Sequence, residues 1–258
     1  MENQLMNLIL FFIVYSFLGW VMESTVRTIS ERKIINTGFL YGPFCPIYGI
    51  GALIILLFLE RYKDNIFILF IISFIVLSSW EYIVGWLLEK IFKTKYWDYS
   101  DHKFNIQGRI CLINSIAWGI LGVAFVKYVH PFIENLIFKI PGKVLFVLTI
   151  IGIYIIIDAI ITMIKVGTLE KEINKLSIIG KNLKEKLEEL KETTENVAMK
   201  QITMNDIENR INELKYQQTK LKRKLIRRTN RLRKAFPTMK SKIITEFLNQ
   251  KMEEKRKK

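Results

Sequence analysis

The sequence Gly-Trp-Val-Met-Glu at residues 19–23 returns as Gly-Trp-Leu-Leu-Glu at residues 85–89, each time at the end of a long apolar run. The same offset of 66 residues (85 minus 19) aligns three further pairs, which include both cysteines of the chain: Thr28 with Thr94, Gly42 with Gly108 and Cys45 with Cys111. Uncommon residues that coincide at one offset indicate repeated structural units. Each unit is predicted to be a helical hairpin whose first helix ends in the repeated motif.

Five apolar stretches meet or approach the length of about 20 residues that a helix needs to cross about 30 Å of hydrocarbon. They are Leu5–Met22, Phe44–Leu59, Ile66–Leu88, Ile110–Val129 and Val144–Ile164. The chain is therefore predicted to be an all-α polytopic membrane protein, with five transmembrane helices within residues 1–166. The repeat units, about 9–59 and 75–129, each cross twice and are expected to be tandem parallel repeats. The fifth helix, 144–164, lies outside the duplication.

Basic residues predict the orientation of the chain, because Lys and Arg are enriched in cytoplasmic loops. The loops after the first and third predicted helices carry seven of them: Arg27, Arg32, Lys33, Lys90, Lys93, Lys95 and Lys103. With five crossings, the strongly basic C-terminal tail lies on the same side as these loops. The N-terminus is therefore predicted to be outside and the tail cytoplasmic.

The second helix of the first unit is preceded by Gly-Pro-Phe-Cys-Pro from Gly42, and two more glycines follow at Gly49 and Gly51. Proline removes a backbone donor and glycine weakens a helix, so this sequence favours irregular backbone. Irregular backbone at membrane depth requires surrounding protein or water. An ordinary helix start is the alternative, because proline is well accommodated in the first turn of a helix.

Two acidic residues, Glu81 and Asp158, lie inside predicted membrane helices, each about 10 Å from the cytoplasmic end at 1.5 Å per residue. Such residues are costly in a membrane and generally face the bundle interior, where they have partners. Their similar depth suggests one shared binding site. The sequence leaves open whether they carry protons, hold a cation or accept hydrogen bonds from nearby side chains, for which the candidates are Tyr15, Tyr82, Trp80 and Ser79.

Glu23 and Glu89 end the two repeated motifs, at helix ends where the helix dipole disfavours negative charge. A partner is therefore expected. Arg109 opens the facing helix of the second unit and could form a charge-assisted pair with a carboxylate, whereas Arg27 is a local alternative one turn beyond Glu23. At least one arginine–glutamate pair is predicted, with a structural or a substrate-binding role. The aromatic loop Tyr96–Ser100 is predicted to anchor at the lipid headgroups, or to help recognise a ligand.

Several of these segments, in order, resemble a bacterial family called putative ABC-transporter type IV, or CmpB-like. They are the two motifs, Gly-Phe-Leu-Tyr-Gly-Pro-Phe-Cys-Pro from Gly38, Tyr-Trp-Asp-Tyr-Ser from Tyr96 and Phe-Asn-Ile-Gln-Gly-Arg from Phe104. The resemblance covers about residues 12–118 and implies a permease-like membrane protein without an established substrate or catalytic residue; the expected location is the inner membrane of a bacterium. The chain has no phosphate-binding P-loop motif. If it belongs to an ABC system, the ATPase is a separate subunit.

Residues 167–236 carry apolar side chains at heptad spacing and are predicted to form cytoplasmic coiled-coil helices, either one long helix or a hairpin. Residues 237–258 outline a short basic amphipathic helix and tail. A dense cationic stretch is predicted to contact anionic lipid headgroups or an acidic protein: Lys222, Arg223, Lys224, Arg227, Arg228, Arg231, Arg233 and Lys234. Nucleic acid is the less favoured ligand because the tail is tethered to a membrane. The coiled coil could also join copies of the chain into a homo-oligomer.

These features favour the membrane component of a transport system, with an unknown substrate and with Glu81, Asp158, Glu23, Glu89 and Arg109 as candidate binding residues. The alternative is a non-transporting membrane scaffold or regulator that acts through the basic tail. No nucleophile, base and orienting group can be recognised together, and the chain has only two histidines, so no enzymatic activity, metal or cofactor is expected.

Overall fold

The computed structural model describes residues 2–137, 142–195 and 201–241, and 79% of the structure is helical. The eight α-helices of these ranges are α1 (Glu2–Glu31), α2 (Pro46–Phe58), α3 (Ile66–Phe92), α4 (Leu112–Ala124), α5 (His130–Ile137), α6 (Gly142–Gly167), α7 (Leu169–Glu195) and α8 (Gln201–Ala235). A 3-10 turn, Glu60–Tyr62, precedes α3, and a π turn, Phe125–Val129, joins α4 to α5. Two short antiparallel strands, β1 (Asn105–Ile106) and β2 (Ile110–Cys111), lie before α4.

Four helical segments in the described part of the chain are long and apolar enough to span a membrane: Leu5–Glu31, Ile66–Phe92, Leu112–Ile137 and Val147–Glu189. The apolar part of the last segment lies in α6. Helix α2 is also apolar, but its 13 residues make it shorter than the others. At 1.5 Å per residue it is about 20 Å long. The structure thus confirms the all-α membrane fold, and four of the five predicted spans have the length to cross by themselves.

The membrane helices pack closely as two antiparallel pairs, α1 with α2 and α3 with α4. Small residues bring the backbones together, as is common between membrane helices. A Cβ atom added at Gly49 of α2 would lie 2.7 Å from the Phe12 carbonyl oxygen of α1. In the second pair, a Cβ added at Gly122 of α4 would collide with Ser73 of α3. Each pair is therefore a tightly packed hairpin that tolerates no side chain at these contacts.

The segment before α2 is irregular and largely buried, whereas α2 itself starts as an ordinary helix with Pro46 in its first turn and continues through Gly49 and Gly51, so each of the two alternatives describes part of the structure. Thr37, Leu40 and Phe44 are buried in it. The backbone N–H of Cys45 donates to the carbonyl oxygen of Ser16 at 2.9 Å, which places the start of α2 beside the middle of α1. Helix α2 is three residues shorter than the predicted stretch Phe44–Leu59, because Phe44 and Cys45 belong to this non-helical segment and Leu59 follows the helix end.

The described chain forms two compact units. The first, which we name the membrane unit, contains the described residues up to Ile164 together with Arg233–Ser241. The second contains Lys165–Leu232. Beyond Ser241, the predicted short basic helix lies outside the described residues.

In the second unit, α7 and α8 lie side by side and run antiparallel. Glu172 of α7 forms ion pairs with Lys224, at 2.8 Å, and with Arg228 of α8. A Cβ atom added at Gly180, two turns further along α7, would lie 3.5 Å from the Gln218 side chain. The described residues therefore form a hairpin rather than one continuous helix. Successive buried side chains of α8 lie 4, 3, 11 and 7 residues apart, which keeps them on one side of the helix: Ile207, Ile211, Leu214, Leu225 and Leu232.

The first unit ends with Arg233–Ser241, which we name the C-terminal strap. The strap pairs with the loop after α3, because Lys240 and Lys95 exchange two backbone hydrogen bonds of 2.9 and 3.0 Å. The rings of Phe236 and Tyr96 add an edge-to-face contact with centroids 5.0 Å apart. Backbone pairing and aromatic packing together hold the strap on the membrane unit.

Asp98 is the charged centre of this contact. Its buried carboxylate forms an ion pair with the Lys240 ammonium, accepts hydrogen bonds from the backbone N–H and hydroxyl of Ser100, and lies 3.6 Å from the Lys95 ammonium. Burial alone would raise the pKa of Asp98, but these donors and charges outweigh it and lower that pKa to about 2. Asp98 is therefore ionised in the folded protein at physiological pH.

Replacement of Asp98 by Asn should loosen the strap, because Lys240 loses its ionic partner. We expect the backbone amides of Lys95 and Lys240 to exchange hydrogen several-fold faster, measured by hydrogen exchange. Because the folded pKa of Asp98 lies below its ordinary value of 3.8, its contribution should be complete above about pH 4 and disappear as the pH falls through about 2. Asp101→Asn, which removes a nearby exposed charge, is the control. Equal exchange in both variants would contradict the assigned role of Asp98.

Candidate functional site

Glu81 lies on α3 inside the membrane unit and is 6% exposed. Its two carboxylate oxygens accept hydrogen bonds from the Trp118 indole N–H, at 2.8 Å, and from the Tyr99 hydroxyl, at 3.1 Å. Trp118 comes from α4 and Tyr99 from the loop after α3. The carboxylate is therefore held by two neutral donors from the second hairpin.

The four partners that the sequence suggests for the buried carboxylates are wrong, because each of them bonds elsewhere. The Tyr15 hydroxyl bonds to His130, Tyr82 donates to Gln107, the Trp80 indole to the Ile47 carbonyl, and Ser79 to the Ile75 carbonyl. The candidates were chosen for their depth along the chain. The actual partners lie 18 and 37 residues away from Glu81, where their depth depends on the loop and the facing helix.

Asp158 on α6 has a different environment, although it is equally buried. Its carboxylate accepts the backbone N–H groups of Tyr41, at 3.2 Å, and Gly42, at 2.7 Å, and the hydroxyl of Thr162, at 3.3 Å. The residue thus satisfies irregular backbone in the segment before α2. Among the described residues, Asp158 and Glu81 share no hydrogen-bond partner, so direct contacts do not join them into the single site that their depth suggests.

Glu23 at the end of the first motif lies beside the start of α2. The Cys45 thiol lies 3.8 Å from one of its oxygens, in hydrogen-bonding geometry, and the Tyr48 side chain lies beside it. Arg27, the local alternative, forms its ion pair with Glu31 at 2.7 Å instead. Glu23 therefore has neutral neighbours and no ion pair within the described part of the chain.

Glu89 at the end of the second motif pairs with Arg109, as predicted. The Nε and Nη2 atoms of Arg109 lie 3.2 and 2.8 Å from the same oxygen of Glu89. This ion pair connects the end of α3 to the residue before β2. It is only partly buried. The two copies of the motif thus differ, because one glutamate is neutralised by an arginine and the other is not.

A cavity of about 320 Å³ lies between the two hairpins. Its walls come from α1, α2, α3, α4 and the π turn, and its lining is almost entirely apolar. Met22, Leu121 and Val129 line the cavity and are also exposed at the surface, so the cavity is only half enclosed on the side of α1 and α4. The volume is within the range of small-molecule sites.

Two aromatic residues of the lining connect the cavity to acidic residues. The Trp118 indole donates to buried Glu81, and Tyr48 lies beside Glu23, which is half-buried. The Tyr48 and Trp118 rings are neighbours, with centroids 5.9 Å apart and planes inclined by 50°. We name these four residues the carboxylate–aromatic wall. The two glutamates were predicted from the sequence, but Tyr48 and Trp118 were not. Nothing in the sequence distinguishes a functional aromatic residue of a membrane helix from one that only packs in the core.

The cationic stretch of α8 is partly used within its own unit. Lys224 and Arg228 pair with Glu172, and Arg228 also donates to the Lys165 carbonyl at 2.9 Å. Lys222 and Arg231 are half-buried. Four members of the stretch are exposed without such an intramolecular ion pair in the described structure: Arg223, Arg227, Arg233 and Lys234. An anionic partner would therefore contact fewer basic residues than the eight that the sequence offers in this stretch.

Replacement of Asp158 by Asn should destabilise the membrane unit, because an amide keeps only one acceptor oxygen for the two backbone donors and loses the negative charge. A buried donor left unsatisfied costs about 1–3 kcal/mol. The expected result is a melting temperature lower by several degrees in detergent, with Asp158→Ala lower still. Thr162→Val, which removes a single hydrogen bond of 3.3 Å, is the matched control and should have the smaller effect. Unchanged melting of Asp158→Asn would argue against this role.

Comparison with known protein families places these features in context. A model of the family described as Putative ABC-transporter type IV matches residues 10–163, which is more than half of the 258 residues and contains α2 to α5 and most of α1 and α6. No curated protein and no solved structure matches the chain. The family match confirms the resemblance carried by the motifs, and the long apolar helices agree with it. The chain is a multi-pass membrane protein that belongs to the Putative ABC-transporter type IV family.

Proposed function

We propose that the protein is the permease-like membrane component of a transport system, with the cavity between the two hairpins as its substrate site. The observation that carries the proposal is the position of Glu81, a buried carboxylate behind the wall of an apolar cavity at membrane depth. Ionisable residues within membrane helices generally mark substrate or ion pathways. The family membership supports the same function.

The proposed architecture has five crossings built from two tandem helical-hairpin repeats and a fifth helix. The helix starts support the duplication, because α2 and α4 each begin directly after a buried cysteine, Cys45 or Cys111. Both helix starts obey the offset of 66 residues (112 minus 46) found in the sequence. In this architecture the buried segment before α2 completes the crossing that α2 is too short to make alone.

The proposed orientation has the N-terminus outside and the α7–α8 hairpin in the cytoplasm of a bacterial inner membrane. The basic residues of the loops after α1 and α3 support it. Since the sequence has no P-loop, we assign ATP hydrolysis to a separate subunit and no enzymatic activity to this chain. The α7–α8 hairpin, as a cytoplasmic coiled coil, is the proposed contact with that subunit or with a second copy of the chain.

Glu81→Gln tests the transport proposal. The amide preserves shape and most hydrogen bonding but removes the charge, so we expect transport function to be lost in a deletion strain complemented with the variant, while immunoblots of the membranes show wild-type abundance. Glu60→Gln, at an exposed position, should complement fully. A separate ATPase should co-purify with both variants. Full complementation by Glu81→Gln, or consistent absence of the ATPase, would favour a non-transporting protein.

The alternative is a membrane scaffold or regulator that acts through its basic cytoplasmic helices. The exposed arginines of α8 support this alternative, since basic residues near an anionic surface each contribute about 1 kcal/mol of binding energy.

A binding experiment with the full chain in phosphatidylcholine nanodiscs tests the surface of α8. We expect association with phosphatidylglycerol vesicles that weakens with salt and that falls in the double variant Arg223→Gln and Arg227→Gln. The control is Lys181→Gln with Lys184→Gln, which removes two exposed charges from α7. Binding that is absent, insensitive to salt or reduced equally by both double variants would exclude the surface of α8 as a specific lipid contact.

A further inference from the structure

We propose that the cavity binds a lipophilic organic cation, meaning a quaternary or delocalised positive charge surrounded by apolar groups. This inference rests on the proposed function and names the class of its substrate. It is drawn from three properties of the site: an apolar lining, aromatic rings within that lining, and carboxylates behind it that have no basic partner.

The lining requires a largely apolar ligand. Besides the aromatic residues it consists of aliphatic, methionine and glycine positions, such as Ile55 and Leu77, and it presents few polar atoms. A small hydrated metal cation would lose its water there without oxygen ligands to replace it. A polar sugar or peptide would likewise leave its hydrogen-bonding groups unpaired. The ligand must therefore carry its own apolar surface.

The rings in the lining suit a cation better than a simple hydrocarbon. Tyr48 and Trp118 of the carboxylate–aromatic wall line the cavity together with Trp80. The faces of tryptophan and tyrosine attract cations within about 6 Å, most strongly where water is excluded. Organic cations with a shielded charge use this attraction because they lose little hydration on entering an apolar site. Aromatic residues are therefore the expected lining for such a ligand.

The carboxylates decide the sign of the charge. Glu81 accepts a hydrogen bond from Trp118 of the lining and Glu23 lies beside Tyr48, yet neither carboxylate forms an ion pair with a described residue. Arg27 acts on Glu23 only at longer range, since its guanidinium is bonded to Glu31.

Other acids of this unit are neutralised, Glu89 by Arg109 and Asp98 by Lys240. The carboxylates beside the cavity, like Asp158, have only neutral partners among the described residues, so an organic anion in the cavity would be repelled.

Tetraphenylphosphonium is the probe for the experiment, and tetraphenylborate, which has nearly the same shape and the opposite charge, is its control. The full chain is purified in nanodiscs, and binding is measured by equilibrium dialysis with empty nanodiscs as background. We expect saturable binding of about one phosphonium ion per chain and no saturable binding of the borate. Equal binding of both ions, or partitioning without saturation, would overturn the proposal.

Variants connect the binding to the cavity. Glu81→Gln should weaken phosphonium binding about tenfold, because a charge at short range in a low-dielectric site is lost, whereas Glu60→Gln should bind as the wild type does. Ala124→Leu adds bulk to the cavity lining and should also weaken binding, whereas Ala117→Leu on the exposed face of α4 should not. Unchanged affinity in both Glu81→Gln and Ala124→Leu would place the ion elsewhere and refute the site.

The assay needs neither ATP nor a partner subunit, so its result is independent of the transport function. Saturable phosphonium binding together with full complementation by Glu81→Gln would retain the ligand class and reject transport. Failure of binding together with loss of complementation by Glu81→Gln would retain transport and reject the ligand class.

Discussion

The architecture of the membrane unit depends on one constraint: backbone polar groups at membrane depth must be satisfied inside the protein. The segment before α2 would violate this constraint if Asp158 did not accept the N–H groups of Tyr41 and Gly42. Because the carboxylate satisfies them, the chain can enter the bundle without helical structure and begin α2 beside the middle of α1. This contact helps to fix the position of α2, and therefore the part of the cavity lining that α2 contributes.

Four acidic residues of this unit differ in role according to the groups that bind their carboxylates. Asp158 binds backbone amides, which cannot leave, and Glu89 binds a charged guanidinium, which neutralises it. Glu81 and Glu23 bind an indole, a phenol and a thiol, which orient a carboxylate without cancelling its charge. Neutral donors leave the electrostatic potential of a carboxylate available to a ligand. The two acids that retain this potential are the two that lie behind the cavity wall.

Local signals in the sequence predict part of this structure well. Long apolar runs predict the membrane helices, and the arginine directly after a glycine turn predicts the ion pair of Glu89. The length of α2 was not predictable in this way, because Phe44 and its neighbours are equally apolar whether or not they are helical. The partners of Glu81 were missed for a related reason. Tyr99 reaches the bundle through a loop whose backbone bonds to Gly108, and that geometry has no periodic signature.

The C-terminal strap was missed as well, because its contacts join residues as far as 207 positions apart. The chain leaves the membrane unit after Ile164 and returns to it at Arg233, so this unit contains residues from both sides of the α7–α8 hairpin. The returning residues end in the ion pair between Lys240 and Asp98, and Asp98 directly precedes Tyr99, whose hydroxyl donates to Glu81. The strap therefore contacts the loop that positions a hydrogen-bond donor of the buried carboxylate.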